Sequence, residues 1–178
     1  MATGTTPTSE PVLKGSCFCG RVQLISASLP KSVTLCHCKQ CQKMGGGAFL
    51  PFGDFENEDI AFKSAGEEEP LIKAIPSEFK RNNTPIAYRG HCGYCGSPLF
   101  MKYHCRPDVT SIAMGIIDNA SVKGELPKPC EHIFLKEKAC WWNLGDDGLA
   151  RYDGNPEEFD QSIEEWAKNG SSKRRDVE

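Results

Sequence analysis

The sequence predicts a mainly β protein built around metal ions, with one helix near its C-terminal end. Three observations predict this class. Short β-branched or aromatic runs alternate with Gly and Pro, seven of the ten cysteines fall into three tight groups, and one pattern of helical spacing follows residue 154. The length of 178 residues fits one domain over 12–154 with a packed helix over 155–169, flanked by disordered polar tails at 1–11 and 170–178.

The predicted strands are short and follow one another along the chain. Four runs have the composition of strands closed by turn residues: GRVQLISASLP, GAFLPFGDF, IAYRGHC and TSIAMGIID. The first run ends at Pro30, and the last ends in an Asp-Asn turn. Between the second and third runs, residues 63–85 have the character of a loop with a weak strand, and their three consecutive glutamates indicate a solvated surface.

The C-terminal helix has clear signals at its start and along one face. Asn155 is the expected N-cap, Pro156 occupies the first helical position, and acidic residues follow in the first turn. An apolar stripe at i, i+4 and i+7 indicates docking on the β core, with binding of a partner as the alternative. The stripe consists of Phe159, Ile163 and Trp166.

Charge and composition argue against several kinds of partner. A net charge of −3 gives no electrostatic basis for binding nucleic acid or an anionic membrane. No apolar run approaches the ~18 residues that a spanning helix needs. The first residues lack the basic and apolar segments of a secretory signal, so a cytoplasmic protein is expected.

Cysteine spacing favours zinc over disulfides. Disulfides would be expected in a small secreted chain, whereas C-x-C and C-x-x-C groups without an export signal are typical of zinc sites. Cys17 and Cys19 share one face of an extended strand, so both sulfurs can reach one ion. With the later pair Cys92 and Cys95 they complete a closed site of four thiolates. Such a site would join the first strand to a later hairpin and contribute folding free energy.

The middle group lacks an obvious fourth ligand. Cys36, Cys38 and Cys41 can reach a second ion and leave one coordination position open, as catalytic zinc sites do. The alternative is a second closed site whose fourth ligand folds back from elsewhere. The candidates are Cys105, His91, His104 and, least well placed on extended backbone, His37. Cys130 and Cys140 are expected to be ordinary buried or half-buried thiols.

The order of the cysteine motifs carries a family resemblance. KGSCFCGRV, CHCKQCQKMGGGAF and HCGYCGSPLF, followed by MGIID and EHIF, resemble the motifs of the glutathione-dependent formaldehyde-activating enzyme family, which includes the centromere protein V type. The resemblance covers about residues 13–142 and implies the β-tent fold, in which small antiparallel sheets surround zinc. It also implies two zinc ions. A structural one would be held by Cys17, Cys19, Cys92 and Cys95, and a more labile catalytic one by Cys36, Cys38 and Cys41.

The family resemblance implies a carbon–sulfur lyase of the S-(hydroxymethyl)glutathione synthase type. Such an enzyme adds a thiol such as glutathione to an aldehyde or related electrophile, or catalyses the reverse. Lys43 and the glycines Gly45, Gly46 and Gly47 are candidates for binding the anionic substrate, with a surface lysine and a tight turn as the alternatives. His91 is a candidate general acid, and a bound water is the other.

Departures from the family pattern leave other functions open. Gln42 stands where members commonly carry Arg, Ile117 replaces a usual leucine, and the extension containing WWNLGDDGLARYDG lies outside the common core. A tailoring enzyme that acts on a larger metabolite at the same zinc is one alternative. A non-catalytic, zinc-scaffolded protein-binding module is the other. For that module Trp141 and Trp142 indicate a binding face, since neighbours on a strand point to opposite sides and one would be exposed.

Overall fold

The computed structural model describes residues 10–64 and 71–169. The acidic loop and nearly all of both predicted tails lie outside these residues. The strands are β1 (Leu13–Ser16), β2 (Val22–Ser26), β3 (Val33–Cys36), β4 (Leu50–Glu56), β5 (Ile60–Ser64), β6 (Ile72–Pro76), β7 (Lys80–Arg81), β8 (Thr84–Pro85), β9 (Ala87–Cys92), β10 (Pro98–Tyr103), β11 (Val109–Ala113), β12 (Pro129–Ile133) and β13 (Ala150–Arg151). The α-helices are α1 (Lys39–Gly45) and α2 (Glu157–Asn169), and neither has the length and apolar character needed to cross a bilayer.

The strands form three sheets. The largest has eight strands in the order β13-β12-β3-β4-β11-β10-β9-β6, and the others are β1-β2-β5 and the ribbon β7-β8. Strand β12 runs parallel to both of its neighbours, whereas all other pairs are antiparallel. Each of the four runs predicted to form strands overlaps one of β2, β4, β9 and β11. The predicted mainly β class with a C-terminal helix is confirmed.

The eight-stranded sheet separates two hydrophobic cores. Neighbouring residues of one strand belong to different cores, as Ile112 and Ala113 of β11 do, because successive side chains point to opposite faces. One core contains Cys36, Cys38 and Cys41, and the other contains Cys17 and Cys92. The two groups of cysteines therefore lie on opposite faces of the same sheet.

Helix α1 is a structural feature that the sequence analysis does not predict. It has seven residues, too few for an amphipathic repeat to be visible. Cys38 is its N-cap and accepts a hydrogen bond from the Cys41 amide at 3.5 Å. Gly46 ends the helix in the left-handed region at φ 68°, and its amide donates to the Gln42 carbonyl at 2.9 Å.

Helix α2 begins slightly later than predicted and packs on the core that contains Cys36. Ile163 is fully buried there, and Phe159 and Trp166 pack around it. The expected capping by Asn155 is wrong in detail. Its Nδ2 donates to Asp160 Oδ1 at 2.8 Å, while the Pro156 carbonyl accepts the first amide hydrogen bonds of the helix.

Truncation of the buried residue of α2 is expected to destabilise the protein substantially. Ile163→Ala removes a fully buried side chain and leaves a cavity, so the free energy of unfolding should fall by about 2–5 kcal/mol. Chemical denaturation monitored by circular dichroism measures this change. Glu165→Ala, on the exposed face of the same helix, is the matched control and should change the value by less than about 0.5 kcal/mol. An equal effect of both variants would contradict the docking of α2.

Two expectations about side-chain exposure are wrong. Cys130 and Cys140 are both exposed rather than buried. Trp141 and Trp142 are 66% and 38% exposed, and they lie in a turn after β12 rather than on a strand. The alternation that would bury one of the two indoles therefore does not apply to this segment.

Candidate metal centres and the adjoining cleft

The first and last cysteine pairs converge into a four-cysteine group. Strand β1 delivers Cys17 and Cys19 to a loop beside the turn after β9, where Cys92 and Cys95 lie, and all four sulfurs are within 4.8 Å of one another. The Cys17–Cys19 and Cys19–Cys92 sulfur distances are 3.4 and 3.9 Å. Tetrahedral Zn–S bonds of about 2.3 Å place sulfurs about 3.8 Å apart, so this group fits a closed zinc site.

The middle motif forms a three-cysteine group at the end of β3 and the start of α1. The sulfurs of Cys36, Cys38 and Cys41 lie within 4.8 Å of one another. Cys38 and Cys41 are completely buried, whereas Cys36 keeps 5% of its surface exposed. Three convergent soft donors suit a thiophilic ion such as Zn²⁺.

No protein side chain closes the three-cysteine group within the described part of the chain. Among residues 10–64 and 71–169, no further His, Cys, Asp or Glu ligand atom belongs to this cluster. The rings of His104 and Trp166 are stacked with centroids 5.4 Å apart, and His37 Nε2 is hydrogen-bonded to His132. Cys105 packs beside the core without entering the cluster. The group therefore differs from the four-cysteine group in having one donor fewer.

Hydrogen bonds among the three cysteines shift their pKa values in opposite directions. Bonds from Cys36 and Cys41 lower the pKa of Cys38 to about 2, against the opposing effect of burial. The pKa of Cys36 is raised, because its side-chain hydrogen bonds to Cys38 and Cys41 and its burial all favour the neutral thiol. Cys38 also lies at the start of α1, where backbone amides favour negative charge.

Arg89 is the nearest cation to the three-cysteine group. It lies on β9 and is only 1% exposed. Its Nη1 contacts Cys41 Sγ at 3.4 Å and its Nη2 contacts Cys38 Sγ at 3.8 Å. Cys36 makes no such contact with Arg89 among the hydrogen bonds of the described residues. The guanidinium thus faces the two fully buried sulfurs of the group.

A chain of hydrogen bonds leads from His37, which lies between Cys36 and Cys38, to the surface of the protein. His37 Nε2 lies 2.9 Å from His132 Nδ1, and His132 Nε2 lies 2.7 Å from Asp147 Oδ2. Two neutral imidazoles satisfy both bonds if His37 donates to His132 and His132 donates to Asp147. Burial is the main cause that lowers the pKa of His37, in keeping with a neutral ring. The hydrogen bond from His132 lowers the pKa of Asp147 to about 2.

Gln42 holds helix α1 against the turn that follows β12. Its Nε2 donates to the carbonyls of His37 and Glu137 at 2.6 and 2.8 Å. Glu137 in turn accepts a hydrogen bond from the amide of Lys39 at 2.7 Å, which satisfies one of the amides at the start of α1. Gln42 therefore orders the loop that carries the three-cysteine group.

A cleft of about 250 Å³ opens on the face of the sheet that carries the three-cysteine group. Its floor comes from β12, β3, β4, β11 and β10, and the start of α2 forms one wall. Cys36 and Tyr103 both line it. Its apolar lining consists of Phe52, Met101, Ile133, Pro156 and Phe159, and its polar lining also includes Ser32, Thr34, Asp54, Arg106, Ser111, Glu131 and Asn155.

The polar side chains of the cleft are largely paired with one another. Asp54 accepts hydrogen bonds from Arg106 Nη2 at 2.7 Å and from the Ser111 hydroxyl at 2.6 Å. Thr34 donates to Glu131 at 2.8 Å. The cleft thus presents fixed charges of both signs along a path that leads to Cys36, which suits a small polar ligand.

Tyr103 places a phenol beside the three-cysteine group. Its ring packs edge-on against Phe159 with centroids 4.8 Å apart, which fixes its orientation in the cleft. Burial is the main cause that raises the pKa of Tyr103 above its usual range, with Arg89 acting in the opposite direction. The hydroxyl therefore stays protonated at neutral pH and can donate a hydrogen bond.

The other predicted site residues are less directly connected to this group. Strand alternation puts His91 on the same face of β9 as Arg89, and its Nδ1 is buried without a hydrogen-bond partner. Lys43 is exposed on α1. The Gly46 amide is used by the helix end, and an added Cβ at Gly45 would come 3.1 Å from Leu50 Cδ1. These features agree with the alternative that Gly45, Gly46 and Gly47 form a tight turn, since the three glycines lie at the end of α1.

Sequence reasoning misses Arg89, Tyr103, and the pair His132 and Asp147. One signal is present for Arg89, because it is the only charged residue of the otherwise apolar or aromatic run IAYRGHC. A charged residue inside a predicted buried strand indicates a buried partner of opposite charge. Tyr103, His132 and Asp147 have no local pattern, since only the sheet order brings them to this face.

Comparison with known proteins confirms the resemblance. The model of the family described as glutathione-dependent formaldehyde-activating enzyme matches residues 12–137, and this chain belongs to that family. Membership implies an enzyme related to glutathione-dependent formaldehyde activation. A solved Rhodobacter sphaeroides protein is 21% identical, with a TM-score of 0.47 and coverage of 64% of this chain and 97% of that chain. No curated protein matches this chain.

Proposed function

We propose that this protein is a zinc-dependent carbon–sulfur lyase that adds a thiol such as glutathione to formaldehyde or a related aldehyde, and catalyses the reverse. The observation that carries the proposal is the three-cysteine group at the side of a cleft, with no fourth protein ligand among the described residues. Such an incomplete donor set is typical of catalytic rather than structural zinc sites. Family membership supports the same chemistry.

The roles of the two cysteine groups follow from their donor numbers. Cys17, Cys19, Cys92 and Cys95 would hold a structural zinc, and Cys36, Cys38 and Cys41 a catalytic one. A zinc bound to the three cysteines would supply the positive charge that favours the thiolate form of an incoming thiol. Lys43 and the glycines Gly45, Gly46 and Gly47 stay candidate contacts for the anionic part of that thiol, at the far end of α1.

The side chains of the cleft would orient the carbonyl compound and transfer a proton to its oxygen. The carbonyl oxygen accepts a hydrogen bond from the Tyr103 hydroxyl as the thiolate sulfur attacks the carbonyl carbon. The new S–C bond leaves an alkoxide, which takes a proton from Tyr103, and the proton lost from the thiol restores the phenol by way of solvent. The product is a hemithioacetal, and the reverse sequence releases the aldehyde and the thiol.

The open donor set argues for an enzyme over a purely structural module. A zinc-scaffolded binding module predicts a second site closed by a fourth protein ligand, and the described residues supply none. The tailoring of a larger metabolite would need a cleft longer than the one that leads to Cys36. A volume of about 250 Å³ suits a small aldehyde together with part of a tripeptide thiol.

Exchange spectroscopy tests the proposed reaction. Carbon-13 formaldehyde and glutathione form a hemithioacetal without a catalyst, so the enzyme should accelerate exchange between free aldehyde and adduct rather than shift the equilibrium. Two-dimensional exchange NMR on the zinc-loaded protein measures this rate. An exchange rate equal to that of the protein-free mixture, at full zinc loading, would refute the reaction for this pair of substrates.

Tyr103 is expected to contribute more to the exchange rate than His91. Tyr103→Phe removes the hydroxyl of a residue that lines the cleft together with Cys36, but keeps the ring packed on Phe159, so the rate should fall by about 10²–10⁴-fold with zinc content unchanged. The parallel variant His91→Gln tests the candidate acid suggested by the sequence. A large loss in His91→Gln with none in Tyr103→Phe would assign the acid to His91 instead.

A further inference from the structure

Arg89 is a buried charge that needs an explanation. It is the largest fully buried side chain of the described residues, at 1% exposure. Among the ion pairs of residues 10–64 and 71–169, none joins it to an aspartate or glutamate. Because an arginine stays protonated and a buried charge without a counter-charge is strongly unfavourable, its partner must be an anion of another kind.

Among the described residues, the side-chain contacts of Arg89 are with cysteine sulfurs, which become thiolates when they bind a metal ion. Its two terminal nitrogens reach Cys41 Sγ at 3.4 Å and Cys38 Sγ at 3.8 Å, within range of hydrogen bonds to thiolates. Among the described residues the buried Nε has no hydrogen-bond partner, whereas both terminal nitrogens contact sulfurs. Side-chain packing alone would not require a cation at this position.

We propose that Arg89 is the counter-ion of the three-cysteine centre, and that its charge allows the centre to accept an anionic fourth ligand, a thiolate, from the cleft. A divalent ion with three thiolates has a net charge of −1, and Arg89 brings this unit to zero. A thiolate that then binds gives a total of −1 instead of −2 in a buried environment. The anionic nature of that ligand rests on the proposed function, whereas the pairing of Arg89 with the centre does not.

The position of Arg89 also sets the side from which a ligand approaches. Arg89 contacts Cys38 and Cys41, both without solvent exposure, and it is not one of the residues that line the cleft. Cys36 makes no contact with Arg89 among the described hydrogen bonds and is the cysteine that lines the cleft. An incoming anion therefore reaches the centre beside Cys36, with the neutralising charge already in place behind the other two sulfurs. Arg89 is in this sense a positioning residue rather than a catalytic one.

Two substitutions separate charge from packing. Arg89→Met keeps a long side chain without charge, and Arg89→Lys keeps the charge without the fork. Arg81→Met is the matched control, because Arg81 pairs with Glu164 at the surface of α2. Near-ultraviolet circular dichroism verifies the fold of each protein, with the four-cysteine group left intact in all of them.

The first readout is metal affinity, measured by competition between the full-length protein and a chelator for the second zinc. Arg89→Met should bind this zinc roughly 10–100-fold more weakly than the wild type. Arg89→Lys should lose affinity only by about the smaller of these factors. Arg81→Met should have the affinity of the wild type. Undiminished affinity in a folded Arg89→Met protein would overturn the proposal. If Arg89→Met does not fold, the zinc affinity of Arg89→Lys tests the proposal instead. Complete loss of the second zinc in Arg89→Lys, which keeps the positive charge, would overturn it.

The second readout is the affinity for 2-mercaptoethanol of the protein loaded with Co²⁺ at the three-cysteine centre. Sulfur-to-cobalt charge-transfer absorption measures this binding. The wild type should gain intensity on titration, and Arg89→Met should need roughly 10–100-fold more thiol for the same change. A wild type that binds Co²⁺ but ignores the thiol would refute the proposed function and leave the pairing of Arg89 to the first readout. Equal thiol affinity in wild type and Arg89→Met would overturn the claim about the fourth ligand.

Discussion

Replacing Cys92 by serine is expected to prevent the domain from folding. Cys92 is fully buried, and its sulfur belongs to the group that joins the end of β1 to the turn after β9. A structural zinc contributes an apparent binding free energy of about 10–16 kcal/mol, and the net stability of a domain is about 5–15 kcal/mol. Loss of one ligand from a closed site therefore removes free energy comparable to the whole stability of the protein.

Soluble yield, far-ultraviolet circular dichroism and zinc content measure this effect together. Cys105→Ser is the matched control, since Cys105 belongs to neither cysteine group and is only partly buried. It should give a folded protein with the zinc content of the wild type. A folded Cys92→Ser protein that has lost a single zinc would contradict the structural role of the four-cysteine group.

Replacing Cys38 by serine should instead remove the reaction and leave the fold. Cys38 is the central cysteine of the three-cysteine group, and it also caps α1 and contacts Arg89. Serine keeps a capping oxygen for the start of α1 but is a poor ligand for zinc. We expect the zinc content to fall from two ions per chain to one, and the exchange of formaldehyde with glutathione to fall to the uncatalysed rate.

The comparison of the two cysteine variants separates the two centres. Near-ultraviolet circular dichroism should show a native fold for Cys38→Ser, with zinc content and NMR exchange measured on the same sample. Cys130→Ser is the control for cysteine loss, because Cys130 is exposed and lies outside both groups. A Cys38→Ser protein with unchanged exchange would show that the three-cysteine group is not the reaction centre.

Local sequence patterns were sufficient for four of the strands, for α2 and for the grouping of the cysteines. The runs around β2, β4, β9 and β11 have the composition and punctuation of strands, and α2 has an apolar stripe at helical spacing. The C-x-C and C-x-x-C spacings group the cysteines into the same sets of four and three that the structure brings together. Each of these features depends on residues close in sequence, where periodicity and spacing are informative.

Features that depend on the order of strands in the sheet could not be predicted from local sequence patterns. β12 pairs in parallel with β3 although about a hundred residues separate them, and this pairing brings His132 beside His37 and Glu131 into the cleft. Tyr103 and Cys36 line the same cleft only because β10, β11, β4 and β3 are neighbours in one sheet. Helix α1 is too short for its period to be read, and its cap is a cysteine rather than a usual capping residue.

Native mass spectrometry of the purified full-length protein, with and without glutathione, measures whether the three-cysteine centre is open to a thiol. We expect two zinc ions per chain, with one of them displaced by the thiol or newly carrying it as an adduct. Cys38→Ser should contain one zinc that glutathione does not affect. Two zinc ions that are indifferent to glutathione would contradict an open three-cysteine centre and favour a closed scaffold.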